Sequence, residues 1–231
     1  NIPPSVTSLG ERCFMCCHNL NSINIPSSVT NLPNSCFGGC SLTNSIIIPS
    51  SVTSIGEECF SGCAFKTIDI PSSVTSLGNR CFQGCPYLTS IKIFSSITNL
   101  EDYCFERCTS LKLVNIPSSV TKLGNFCFSG CESLNSITIP SSVTSIGDGC
   151  FYNCAFKTID IPSSVTSLGN GCFQRCSYLT SVTIPSSVTN LGNSCFNLCE
   201  SLTSVTILSP SIKLGKFCFS STGIDEFTIM A

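Results

Sequence analysis

Residues 179 to 201 read Leu179-Thr180-Ser181-Val182-Thr183-Ile184-Pro185-Ser186-Ser187-Val188-Thr189-Asn190-Leu191-Gly192-Asn193-Ser194-Cys195-Phe196-Asn197-Leu198-Cys199-Glu200-Ser201. Ser181 to Ile184 alternate polar and β-branched apolar residues, the period-two mark of a half-buried strand. Pro185 removes a backbone donor and fixes φ, so the strand ends there and the chain turns through Ser186-Ser187. Val188 and Leu191 return to the core. Gly192 allows a backbone conformation closed to other residues. Cys195 and Cys199, four apart, then share one face of about one helical turn, with Phe196 between them. The unit is expected to be strand, turn and short helical turn.

Outward from this stretch the same unit recurs. Its strand isoleucines are Ile2, Ile25, Ile48, Ile70, Ile93, Ile116, Ile139, Ile161, Ile184, Ile207 and Ile229, spaced 22 or 23 residues apart. About ten such units fill residues 1–231 with no linker, charge run or shift in composition, so a single domain is expected. A longer period overlies the short one: residues 48 to 93 match residues 139 to 184 at 37 of 46 positions. That points to growth by block duplication. One unit cannot bury its apolar face alone, so neighbours must stack and share a core. The expected fold is therefore an α/β solenoid, with one parallel β-sheet on the concave face and short helical turns on the convex face. At roughly 4.8 Å per strand the sheet would run about 45 to 50 Å. The first rung starts in mid-unit and no leader is visible, which reads as a piece of a longer chain.

The pattern L-x-x-[I/V]-x-I-P-x-S-V-x-x-[I/L]-G-x-x-C-F-x-x-C resembles the BspA-type leucine-rich repeat, with Cys where many members have Ala before the Phe. The resemblance covers nearly every unit. It implies a recognition surface, used by members for adhesion at the cell surface, and it supplies no catalytic residues. The departures are specific. Phe94 and Leu208 replace the proline after the strand, Glu101 replaces the glycine, and two shortened units carry Cys63-Ala64-Phe65 and Cys154-Ala155-Phe156.

Composition narrows the function. Charged residues are only 10% of the chain and the net charge is -2 with no basic run, which argues against a large phosphate-neutralising face, and nucleic acid is not an expected partner. No apolar run approaches the roughly 20 residues of a membrane span. Nineteen of the 20 cysteines lie in the repeated motif, Cys16 alone outside it. The leading reading is ladders of buried free thiols, since Cys packs as a small hydrophobe. Disulfides between or within rungs are the second reading and metal ligation the third; C-x3-C spacing with His18 as the one histidine does not match a zinc knuckle. Neither that histidine nor the acid pairs Glu57-Glu58 and Glu101-Asp102 form a catalytic constellation, and no phosphate loop is present. The chain is read as a non-enzyme without cofactor or metal.

Residues alternating with the buried isoleucines face outward. The middle row runs Asn24, Ile47, Asp69, Lys92, Asn115, Thr138, Asp160, Thr183, Thr206 and Thr228. The row beside it is almost uniformly Ser and Thr, interrupted by Leu113 and Glu226. Ile47, Asp69, Lys92, Phe94 and Leu113 thus gather two aliphatics, an aromatic and opposite charges on consecutive rungs, the ingredients of an apolar anchor with a polar rim. They are the expected contact site for a protein partner on the concave face. The open ends of the stack need either flanking sequence or end-to-end association of copies. Family resemblance favours a cell-surface adhesin; abundant free thiols and the absence of any N-x-[S/T] acceptor favour an intracellular scaffold as the alternative.

Overall fold

The computed structural model describes residues 2–42, 46–94 and 97–230. The alternation Ser181-Val182-Thr183-Ile184 forms a strand, buried at Val182 and Ile184 and exposed at Ser181 and Thr183. Ser181–Ile184 pairs in parallel with Ser204–Ile207, and that strand with Glu226–Ile229. Thr67–Ile70, Ser90–Ile93 and Leu113–Val114 form a second parallel group. The expected single sheet is therefore divided on this face. Asn115 accounts for one margin: its side-chain amide accepts from the Ile93 N–H at 2.8 Å and donates to the Ile93 carbonyl at 3.0 Å, taking the place of a main-chain partner.

Each rung makes a second, shorter ladder that the sequence reading did not anticipate. Two-residue strands just before the position that usually holds glycine, Pro33 in the first of them, pair in parallel: Asn31–Leu32, Ser54–Ile55 and Ser76–Leu77 in one sheet. Asn99–Leu100, Lys122–Leu123, Ser145–Ile146, Ser167–Leu168, Asn190–Leu191 and Lys213–Leu214 form another. The glycine that follows is required by close approach. A Cβ on Gly147 would lie 2.7 Å from Asn125 Oδ1 and 2.8 Å from Asn125 N, while the Gly147 N–H donates to the Leu123 carbonyl at 2.9 Å. Glu101 stands in that position, and there the two short-strand sheets part, between Leu77 and Leu100.

The expected helical turns are not formed: among the described residues there is no helix. The Cys-Phe-x-x-Cys segment instead follows consecutive tight turns, with left-handed residues just before each cysteine, such as Ser194 (φ 56°) and Leu198 (φ 61°). Its N–H groups alternate in use. Those of Ser194, Phe196 and Leu198 donate to the next rung, to Lys216, Cys218 and Ser220 carbonyls at 2.8 to 2.9 Å, while those of Asn197 and Cys199 close turns within the rung. A helix would direct its donors along its own axis rather than to the next rung, and would demand the 8–10 Å spacing of packed helices. Flattened turns let this side repeat nearly as closely as strands, so helix width gives no reason for the strand face to curve inward.

The core lies between these ladders. Phe14, Phe37, Phe60, Phe82, Phe105, Phe128, Phe151, Phe173, Phe196 and Phe219 stack ring on ring, with centroids 5.2 to 5.6 Å apart. In the shortened units Phe65 and Phe156 meet this column edge-on. Phe128 is fully buried. Its replacement by alanine is expected to cost about 3–5 kcal/mol, read as a lowered midpoint in thermal or urea unfolding. An unchanged midpoint would contradict the packing described.

Candidate functional site

The outward row is where period two puts it. Ile47, Phe94 and Leu113 are exposed to 77%, 58% and 65%, large values for apolar side chains, and Asp69 and Lys92 are exposed as well. Asp69 and Lys92 face each other across the register of neighbouring strands, without a salt bridge among the described residues. The structure brings three of the five expected residues into one depression of about 400 Å³: Ile47, Asp69 and Phe94, with Ile46, Ile48, Thr67, Ile68 and Pro71. Lys92 and Leu113 do not line it. Leu113 is paired with Ser90, one row away, and forms a flank. Phe94 is held because, lacking the proline ring, it donates its N–H to the Ile70 carbonyl at 3.0 Å and carries the ladder one residue further.

Two features escaped the sequence reading. The first is another depression on the same face, of about 520 Å³, lined by Thr158, Asp160, Thr183, Pro185 and Leu208 among others. Leu208, the second residue to replace the proline, likewise donates its N–H to the preceding rung, to the Ile184 carbonyl at 2.9 Å. The second feature lies on the turn side. Glu57 pairs with Arg80 at 3.2 Å, Arg80 lies 4.7 Å from the Tyr103 ring centre, and Tyr103 stacks on Phe126 at 5.3 Å. All four residues sit just before a motif cysteine or beside such a residue, a position with no role in the sequence pattern; its bulky occupants were the available signal.

All 20 cysteines are free, and the seventeen from Cys36 onward are buried. From Cys40 onward the second cysteine of the motif donates S–H to the Phe carbonyl of the preceding rung, as from Cys63 to Phe37 at 3.1 Å and from Cys199 to Phe173 at 3.1 Å. Burial pushes the thiol of Cys40 up to about 11 and those of Cys63 and Cys199 up to about 12, so these three sulfurs stay protonated and unreactive at neutral pH. Among the described residues no three or more His, Cys, Asp or Glu side chains are grouped to hold a metal ion. Among the described residues no helix is long and apolar enough to cross a membrane.

A stack of parallel-strand rungs with a leucine or isoleucine core and one exposed strand face defines a leucine-rich repeat solenoid. The chain belongs to the BspA type: the BspA type leucine rich repeat region is matched over residues 7–135 and 121–231, in six copies. A leucine-rich repeat protein from Bacteroides ovatus is similar at 32% identity and a TM-score of 0.89, over 95% of this chain and 63% of that one. The chain thus spans less than two thirds of that relative. A leucine rich cell surface protein from Faecalibacterium prausnitzii is similar at 26% identity and a TM-score of 0.58, over 89% of this chain and 70% of that one. The leucine-rich repeat protein of T. pallidum follows at 27% identity and a TM-score of 0.60, over 65% of this chain and 73% of that one. No curated protein is a match.

The thiols make stability depend on alkaline pH. Their folded values lie above the ordinary 9.0, so the folded chain holds protons that the unfolded chain releases. That contribution is complete below about pH 8 and is lost as pH rises from 9 towards 12. Urea unfolding under reducing conditions is expected to give a flat midpoint from pH 6 to 8 and a falling one above 9.

Proposed function

We propose that the chain is a non-enzymatic recognition module that holds a protein partner on its strand face. Ile47 and Phe94 act as apolar anchors around the Asp69 carboxylate, with Lys92 and Leu113 as the flanking contacts. The observation that carries this reading is chemical contrast. An exposed isoleucine, leucine and phenylalanine, at 77%, 65% and 58%, interrupt a face made mostly of Ser, Thr and Asn with a few charged residues. Apolar anchors that a polar surround can seal from water are where binding energy concentrates. Ser and Thr hydroxyls elsewhere serve the stack itself, as when Thr180 Oγ1 donates to the Lys157 carbonyl at 3.1 Å.

The proposed setting is adhesion at the cell surface, supported by the F. prausnitzii relative, which is a leucine rich cell surface protein. A second reading, an intracellular scaffold, is favoured by twenty free thiols, because oxidising compartments convert thiols to bridges. Antibody labelling of intact, unpermeabilised cells separates the two: surface signal supports adhesion, and signal only after permeabilisation supports the scaffold.

Replacing Ile47 and Leu113 together with serine is expected to weaken partner binding at least tenfold, about 1.4 kcal/mol or more, with the unfolding midpoint unchanged because both side chains are already in solvent. Titration of a labelled partner checks this, and undiminished affinity would remove the face from consideration.

A further inference from the structure

Residues 63–79 and 154–170 are identical in sequence, and each copy contributes one exposed aspartate, Asp69 and Asp160, to a depression on the strand face. In both depressions the aspartate is the sole charged residue among the described lining groups. The rest is aliphatic, hydroxyl or, at Phe94, aromatic. Lys92 lies opposite Asp69 in the strand register but does not line the depression, and the salt bridges among the described residues, Arg80–Glu57 and Arg107–Glu106, involve neither aspartate. Each depression has a wall built at a position where other units carry proline. Phe94 and Leu208 keep their N–H groups and bond to the preceding rung at 3.0 and 2.9 Å, which fixes the walls one residue past the strands.

A single carboxylate among aliphatic walls suits a lysine or arginine side chain. The head group meets the carboxylate in a charge-assisted hydrogen bond while the methylene stem lies along the apolar wall. At the first depression the Phe94 ring adds attraction for the cation. Asp69 and Asp160 are four rung steps apart, through positions 92, 115 and 138, so at about 4.8 Å per step they are separated by about 19 Å. An extended peptide advances about 3.3 Å per residue. Two basic residues about six positions apart would reach both carboxylates if the peptide ran along the solenoid axis, across the strands.

We propose that the strand face is bivalent: it binds an extended segment of its partner through two basic side chains, one held at Asp69 and the other at Asp160. This rests on the recognition reading above and names its partner chemistry. Once one side chain is seated, the other meets its carboxylate at the high local concentration of a tethered group, so two weak contacts combine into one firm one.

The test is selection of a randomised twelve-residue peptide display library on chain 1–231, followed by affinity measurement of the enriched peptides at two salt concentrations. Enriched sequences are expected to carry two basic residues five to seven positions apart. Asp69→Asn and Asp160→Asn are each expected to weaken such peptides at least tenfold, with circular dichroism and unfolding midpoint unchanged. Replacing either basic residue by glutamine, or moving it by three positions, should cause the same loss. Enrichment without paired basic residues, no enrichment at all, or indifference to Asp160→Asn would overturn the bivalent site. If the peptides then still lose affinity on Ile47→Ser with Leu113→Ser, the recognition face stands and only its bivalence falls; indifference to every variant removes both.

Discussion

The constraint on which this molecule depends is the rung repeat of about 5 Å, set by main-chain hydrogen bonds that run from each unit to the next on every side of the coil. On the strand side they are parallel-sheet bonds, as between Ser181–Ile184 and Ser204–Ile207. At the second ladder they pass through glycine, and on the turn side through residues such as Ser194 and Phe196. Each requirement on the sequence follows from that spacing. Glycine is needed where two rungs would otherwise collide. A phenyl ring suits the core because parallel rings stack comfortably at 5.2 to 5.6 Å. Cysteine suits the positions beside it because its small side chain fits there and its S–H reaches a carbonyl of the preceding rung, as Cys131 reaches Phe105 at 3.2 Å.

The same spacing explains the polar residues. Ser187 Oγ donates to the Val165 carbonyl at 2.7 Å, and Ser142 Oγ to Val120 at 2.6 Å, so the second serine after the proline ties one turn to the one before. Asn170 Oδ1 accepts from the Asn193 N–H at 2.8 Å, and Asn193 Oδ1 accepts from the Lys216 N–H at 2.8 Å, a column of side-chain carbonyls that answers main-chain donors left over by the turn. What looks like low-complexity Ser, Thr and Asn in sequence is a set of vertical hydrogen-bond columns. Ser73 marks the limit of the pattern: its hydroxyl oxygen is buried and has no partner among the described residues.

Much of this was legible from residues alone. Val182 and Ile184 pointed inward because strands alternate, and Phe196 with its flanking cysteines was buried because the motif recurs at a fixed place in an apolar unit. Helical turns were the failed inference. Two cysteines four apart share a face in a helix, but they also share one across two consecutive tight turns, and spacing within a unit cannot distinguish the cases. Gly39, Gly62, Gly84 and Gly130, each with positive φ and each just before the second cysteine, carried the distinguishing signal. The depressions were hidden for a different reason. Ile47, Asp69 and Phe94 come from three rungs, and their convergence depends on register and on the wall that an absent proline permits. Only the exposure of each residue, not their common enclosure, follows from alternation.

Stacking also explains why so few residues are charged and why the exceptions carry meaning. In a solenoid every consensus position becomes a column, so a charge fixed in the repeat would place like charges about 5 Å apart along the whole molecule. Each neighbouring pair would cost about 0.8 kcal/mol even in water, and more beside a low-dielectric core. Ser, Thr and Asn avoid that penalty, and the chain keeps charged residues to 10% of its length. Asp69 and Asp160 meet the same rule by separation: the block duplication places them four rungs apart, beyond about two Debye lengths at physiological salt. A repeat array under this electrostatic limit can carry charged recognition groups only where they are sparse, which is how the two aspartates stand on the strand face.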